Sequence, residues 1–304
     1  MYHYVRDLAA TRFPRLTALP LATFRAQLDY IAREHTPVSM DDVVRAADGV
    51  APLPPNAILL TFDDGYAEHA HEVCPLLADR GIRGAFFPAA SSLVDRRVLD
   101  VNRIQFVLAA AESADAIAGA IDRAVAAESG RADVRPVEAY HADGWKAVRY
   151  DAPAAAYVKY MLQRALPADV RARVLDDLFR EFVTSDERAF ADELYFTADE
   201  GRRMAAAGMT IGAHADAHVA LTSLSRDGQA REIDGALRAL DAAGVERRPF
   251  AYSYAKGEYN DDTLALLRAR GCAAAVTTRV DRASVSAETR LTLPRIDAVH
   301  LPTA

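Results

Sequence analysis

The sequence is poor in the features that mark several common protein classes. Only two cysteines, Cys74 and Cys272, stand in 304 residues, far apart and outside any CxxC pattern, which fits small core residues in a reducing compartment rather than a cross-linked framework. No basic run and no aromatic-interleaved basic patch occurs, and the formal net charge is -7, so nucleic acid is not an expected partner. No apolar segment approaches the length of a membrane span. The opening Met1-Tyr2-His3-Tyr4-Val5-Arg6-Asp7 lacks the apolar stretch of a signal peptide, from which a cytoplasmic location is expected. Repeats and low-complexity tracts are missing apart from an alanine bias. Apolar residues, in contrast, make up 51% of the chain, enough to build a large core at this length.

The spacing of those apolar residues alternates between strand and helix. Tyr2 to Val5 reads as a first short strand, and Leu21, Phe24, Leu28 and Ile31 recur at helical spacing. Ser39 with Asp42 is a capping-box pattern that opens a second helix. Pro52-Leu53-Pro54-Pro55 is a rigid link into Ala57-Ile58-Leu59-Leu60, a buried strand. A helix to about Arg80, stopped by Gly81, and a strand at Gly84-Ala85-Phe86-Phe87 complete a βαβ unit, which implies a parallel sheet or barrel.

From about Asp95 to Leu194 the pattern is nearly all helical, with apolar sets at Ile104, Val107, Leu108 and at Val174, Leu178, Phe179, Phe182. An irregular patch between them, Ala132 to Asp151, holds His141 and the one tryptophan, Trp145. Residues 95–195 are expected to form a helical insertion or lid within a single catalytic domain spanning 1–304, a natural place for substrate selection. The βα rhythm then resumes. Thr197 and Glu200 form a capping box, Met209 to Ala213 a strand, and Ile233, Leu237 and Leu240 a helix ended by Gly244. Phe250 to Tyr254 is a strand, Thr263 to Arg270 a helix, and Ala273 to Thr277 and Leu291 to Ile296 the last strands.

Two clusters at strand ends carry the chemistry. In Thr61-Phe62-Asp63-Asp64-Gly65, adjacent carboxylates repel unless a cation or a shared proton intervenes. Neighbouring side chains on an extended chain point to opposite sides, so the two take different tasks only if the chain turns there, as Gly65 permits. Alone, this stretch is as readily an ordinary solvated turn. A second strand ends in His214-Ala215-Asp216-Ala217-His218, whose imidazoles face one side if a helical turn follows the strand. Two histidines and a carboxylate suit a divalent metal, zinc by preference, with a position left for water. His69 and His71, on the helix after Gly65, read as solvated surface positions.

TFDDG followed by a strand-end HxxxH resembles the polysaccharide deacetylases of the NodB-homology type, carbohydrate esterase family 4, over most of the chain outside the helical tract. The first signature is highly specific and the second moderately so. The resemblance implies an α/β fold, a distorted (β/α) barrel of the NodB type with a helical insertion between the first and second metal motifs. It also implies that Asp64, His214 and His218 bind the metal and that Asp63 is the general base. A divalent metal acidifies water and polarises an amide carbonyl, and a free carboxylate takes the water's proton. Tyr2-His3-Tyr4-Val5 resembles a first strand found in one branch of the family, which implies that His3 lines the pocket. Phe250-Ala251-Tyr252-Ser253-Tyr254 matches the third signature only in part, with Tyr254 as its substrate-binding tyrosine. The usual motif has an arginine and a proline before that tyrosine, whereas here Ser253 replaces the proline and no arginine is in place. The cation that holds Asp63 is therefore expected from Leu293-Pro294-Arg295-Ile296-Asp297, as Arg295. The family's final Leu-x-His has no clean counterpart. His3, His141, His300 or water is left to protonate the leaving amine.

The expected activity is metal-dependent hydrolysis of the acetamido group of an N-acetylated sugar, on a cytoplasmic, nucleotide- or lipid-linked precursor of surface polysaccharide. Two other classes compete: an amidohydrolase of small amides, allantoinase-like, and a non-catalytic metal- or sugar-binding module. Retention of both Asp63 and Asp64 argues against the binding module, because metal binding alone does not need the first.

Overall fold

The strand residues Ala85–Pro88, Phe250–Ser253 and Cys272–Val276 are mostly apolar and buried throughout, as parallel strands covered on both sides are. In the computed structural model, which describes residues 1–148, 151–245 and 249–302, every strand pair is parallel. β1 (Thr36–Pro37) pairs with β2 (Ala57–Ile58), and the chain continues through Leu59 and Leu60 into β3 (Thr61–Asp64), whose four residues are all buried. β3 lies beside β4 (Ala85–Pro88), and β4 beside β5 (Thr210–Ile211). β6 (Phe250–Ser253) pairs with β7 (Cys272–Val276). Single bridges join these sets: Tyr2 to Phe62, Ala213 to Tyr252, and Val276 to Leu293. Met1 then bonds to Ile296 through its amine and to Ala298 through its carbonyl, so the pairing that starts beside β3 leads back to the first residue. The expected strands at Tyr2–Val5 and Leu291–Ile296 are thus bridges rather than full ladders.

Around these strands lie α1 (Leu21–Glu34), α2 (Met40–Ala47), α3 (Cys74–Ala78) and α4 (Ala90–Leu93). α1 buries Phe24, Leu28 and Ile31, the apolar set read from the sequence. α2 opens on a capping box in which Ser39 Oγ accepts from the Asp42 amide and the Asp42 carboxylate accepts from the Ser39 amide. The helix after Gly65 departs from expectation. Residues His69–Val73 form a π-helical turn, with the Cys74 amide bonded to the carbonyl of His69 five residues back, before α3 begins. Pro75, which has no amide to give, lies at the first turn of α3. A π turn shifts the facing of side chains away from the 3.6-residue period, and His69 points into the core instead of into solvent.

The chain divides into two compact units. One comprises Met1–Asp7, Ala18–Arg97 and Arg188–Ala304, and holds every strand above; the other comprises Leu8–Thr17 and Val98–Glu187. The second unit is helical, with α5 (Asp100–Ala110), α6 (Ala114–Ala127), α7 (Val137–Gly144), α8 (Pro153–Tyr160) and α9 (Ala168–Phe182). α9 buries Val170, Val174, Leu175, Leu178 and Phe179 along one stripe. The patch read as irregular contains α7, whose first turn follows Pro136; Arg149 and Tyr150 of that patch lie outside the described residues. Residues 8–17 join this unit by contacts that leave little trace in sequence. Phe13 meets Phe106 edge-on at 5.0 Å, and the Arg15 guanidinium donates to the carbonyls of Ala109, Ala110, Ala111 and Glu112 at the end of α5.

α10 (Glu187–Leu194) leads back to the sheet, followed by α11 (Ala198–Ala206), α12 (Arg226–Ala242) and α13 (Asp261–Ala269). No helix among the described residues is long and apolar enough to cross a membrane.

Candidate active site

The carboxyl ends of β3, β5 and β6 converge on a set of buried polar side chains that includes Asp63, Asp64, His214 and Ser253. At β3 the chain turns at once. Asp64 and Gly65 both take left-handed backbone, with φ of 73° and 79°. Glycine is required at the second position, because a Cβ there would lie 2.7 Å from the Cβ of Pro88. That turn separates the two aspartates as the sequence demanded.

Asp63 faces Arg295. Nη1 of Arg295 donates to Oδ1 at 2.9 Å and Nη2 to Oδ2 at 2.7 Å, a two-pronged pair with both side chains buried. The guanidinium is held in turn by the Thr277 carbonyl (2.7 Å), Thr61 Oγ1 (3.2 Å) and Ser253 Oγ (3.2 Å). Burial alone would push the Asp63 carboxyl up, but Arg295 and His214 together outweigh it and hold the group well below the usual carboxylate range.

Asp64 faces the histidines. Its Oδ1 lies 3.4 Å from Nε2 of His214 and 3.4 Å from Nε2 of His218, and the ligand atoms of the three residues lie within 4.8 Å of one another. His214 is fixed by its other nitrogen, which donates to the carbonyl of Ser253 at 2.8 Å and so turns Nε2 toward Asp64. The expected helical turn between the histidines is not what joins them. Residues 214–218 form an irregular loop with Ala215 and His218 in left-handed backbone (φ 58° for both), and the rings meet at 4.9 Å between centroids. The loop is tied down by the Ala90 and Ser91 amides, which donate to Ala215 and Asp216, and by Glu232, which accepts from the Asp216 and Ala217 amides. Gly212 lets the strand pass close by, since a Cβ there would meet the Phe87 ring at 2.4 Å.

The donor set fits a divalent cation. Two neutral-capable imidazole nitrogens and one anionic oxygen converge, and Asp64 Oδ1 is buried without any hydrogen-bond partner, which is costly unless something else satisfies it. Burial lowers the His218 imidazole to about 4, so it is neutral at ordinary pH. Burial would also lower His214, but Asp64 and Asp63 reverse this and raise it. A cation at this position therefore competes with a proton on His214.

The remaining expected residues are distributed differently. His3 is exposed, one residue beyond the bridge of Tyr2 to β3, and it interacts electrostatically with Asp63, Asp64 and His218. Tyr254, expected to bind substrate, is fully buried instead: its hydroxyl donates to the Leu291 carbonyl at 2.8 Å, its amide donates to Val276, and its ring stacks on Tyr259. Its hydrogen-bonding groups are committed to the core, which corrects the expectation for that side chain. His141 belongs to the helical unit, where it pairs with Asp122 at 2.9 Å and stacks on Trp145. His300 is exposed in the short turn Ala298–His300. His71 is exposed and bonds Glu200, whereas His69 is buried and bonds the His3 carbonyl at 2.8 Å.

Two contributors were not assigned from sequence. Tyr66, fully buried, donates its hydroxyl to Asp64 Oδ2 at 2.5 Å; burial first and the Asp64 charge second raise its phenol well above the ordinary value, so it stays a donor. Ser253 serves both halves of the site, its carbonyl on His214 and its hydroxyl on Arg295. The departure from proline at that position was the visible signal.

Fold and site together define an α/β protein whose strand ends set an arginine-clamped carboxylate beside an Asp–His–His group that suits a divalent cation. A family model described as polysaccharide deacetylase matches residues 51–111 and 180–275. The chain belongs to the polysaccharide deacetylase family, and it is a hydrolase of amide bonds in N-acetylated sugars. The matched stretches carry Asp63, Asp64, His214, His218 and Ser253 and leave out most of the helical unit.

None of the curated proteins matches the sequence. Among solved structures, the Streptococcus pyogenes deacetylase PplD in complex with acetate is similar, at 17% identity and a TM-score of 0.56 over 97% of this chain and 89% of that one. IcaB from Ammonifex degensii is similar at 17% identity and 0.56, over 99% and 92%. A de-N-acetylase from Aggregatibacter actinomycetemcomitans gives 14% and 0.54, over 97% and 92%. At these identities the likeness carries the fold, which is the NodB-type α/β fold.

Proposed function

We propose that the protein removes the acetyl group from an N-acetylated sugar by metal-assisted hydrolysis, with Asp64, His214 and His218 holding the metal, Asp63 as general base and Arg295 as its holder. The observation that carries this reading is the division of labour at β3: one buried carboxylate is clamped by a guanidinium while its neighbour offers an unsatisfied oxygen to two imidazoles. A pure binding site has no use for the first.

A divalent cation bound there supplies Lewis acidity toward water and toward the amide carbonyl, and zinc suits the donor set. The chain's own groups do the rest. Asp63, kept ionised by Arg295, accepts the proton of the attacking water; each of its oxygens keeps a lone pair beyond the one that Arg295 uses. His214, oriented through Ser253, keeps Nε2 available as a ligand nitrogen rather than a base. The leaving nitrogen needs a proton, and we assign it to His3, exposed beside β3 and within electrostatic reach of Asp63. A helical unit inserted into such a chain suits substrate selection, and the substrate we favour is a cytoplasmic, nucleotide- or lipid-linked precursor of surface polysaccharide.

The test is a panel of N-acetylated sugars, sugar nucleotides, glycan oligomers and small linear and cyclic amides, assayed for released acetate or amine with the metal-loaded protein. Turnover of the glycosidic substrates alone supports the reading. Turnover confined to small amides contradicts it.

A further inference from the structure

Tyr66 is the residue through which the strand end grips its own carboxylate. The two left-handed residues Asp64 and Gly65 fold the chain back so that residue 66 returns beneath residue 64, and the phenol reaches Asp64 Oδ2 at 2.5 Å. Packing alone would be satisfied by phenylalanine. A fully buried hydroxyl is costly unless it is bonded, and this one is spent on a carboxylate already approached by two imidazoles.

The ring is not free to turn away. It stacks on Tyr4 at 3.9 Å and on Tyr195 at 6.1 Å between centroids, and it meets His69 edge-on at 5.4 Å. Its backbone bridges to Tyr195, and the Phe196 amide donates to the Gly65 carbonyl at 3.0 Å. Arg96, itself buried, donates to the carbonyls of Tyr195 (3.0 Å) and Phe196 (3.0 Å), so the segment against which Tyr66 rests is held as well.

We propose that Tyr66 is a positioning residue for the metal centre: its phenol occupies Asp64 Oδ2, so that the carboxylate offers the cation the single oxygen Oδ1 in the direction of His214 and His218. This rests on the reading of Asp64, His214 and His218 as ligands. The consequence is that affinity and coordination number are set partly by a group that touches neither metal nor substrate. Without the phenol, Asp64 can rotate and offer both oxygens.

The experiment titrates the metal-free protein with Co2+ and reads the visible spectrum, comparing wild type with Tyr66→Phe and Tyr195→Phe. The second variant strips a hydroxyl from the same aromatic stack without touching Asp64. The proposal expects Tyr66→Phe to weaken Co2+ binding by about 10- to 100-fold and to alter the absorption bands, with Tyr195→Phe close to wild type. Unchanged affinity in Tyr66→Phe, or an equal loss in both variants, overturns it. A wild type that binds no Co2+ overturns the ligand reading itself, and the inference falls with it.

Discussion

At the residue scale the site turns on the pairing of Asp63 with Arg295, and the pair makes testable demands. Arg295→Ala leaves a carboxylate buried and unpaired, which is expected to cost about 3–5 kcal/mol of stability in denaturant titrations. Arg295→Lys should rescue little, because a point charge cannot supply two parallel bonds to Asp63 and keep those to Thr277, Thr61 and Ser253. The acid behaviour follows from the direction of the shift. Asp63 is held below its unfolded value of about 4, so its contribution to stability is complete above about pH 4 and is lost as pH falls toward the folded value. Urea midpoints of the metal-free protein should therefore drop below about pH 4, and drop less steeply in Asp63→Asn. The sequence made this pair legible in an indirect way: the missing arginine of the third signature and an arginine at a neighbouring strand end pointed to each other. The contacts of Tyr66 and His69 were not legible. They depend on two consecutive left-handed residues and on a π turn, and hydrophobic periodicity registers neither.

At the element scale the strand-end turns carry the site and the capped helices do not, and the two respond differently to substitution. Gly65→Ala places a methyl group against Pro88 in backbone that disfavours any side chain, and should cost at least about 1–3 kcal/mol together with most metal affinity. Ser39→Ala removes the α2 capping box, and should cost about 1 kcal/mol while leaving metal affinity and turnover intact. Paired thermal melts and metal titrations on the two variants check this. Most elements were legible because their cause is local: α1 and α9 from apolar spacing, α2 and α11 from S/T-x-x-D/E caps, β3 and β4 from buried runs. The loop from His214 to His218 was not. Spacing alone suggested a helical turn, and the same convergence is reached through left-handed backbone pinned by α4 and Glu232.

At the scale of the whole molecule, one strand-bearing unit houses the site and a helical unit is built from residues far apart in sequence, Leu8–Thr17 and Val98–Glu187. The sequence signalled the long helical stretch through its change of period, but not the recruitment of residues 8–17. That recruitment rests on an edge-on aromatic contact and on one arginine at a helix end. If the Asp64 cluster binds a metal only in the folded state, saturation at about a hundred times Kd stabilises the molecule by about 2.7 kcal/mol. Thermal midpoints should then rise with added metal in wild type and stay fixed in Asp64→Asn. Binding should also release a proton, because the Asp64 and Asp63 carboxylates raise His214 in the metal-free site, and affinity should tighten as pH rises.

Asp63 is proposed to act as a base beside a metal that it does not bind. The most direct measurement is acetate release from an N-acetylated glycan by wild type and Asp63→Asn, with metal content determined on the same samples. Release is expected to fall about 10²- to 10⁴-fold in the variant with metal content unchanged. Equal release by the two proteins, or a variant that loses its metal along with its activity, would contradict that role for Asp63.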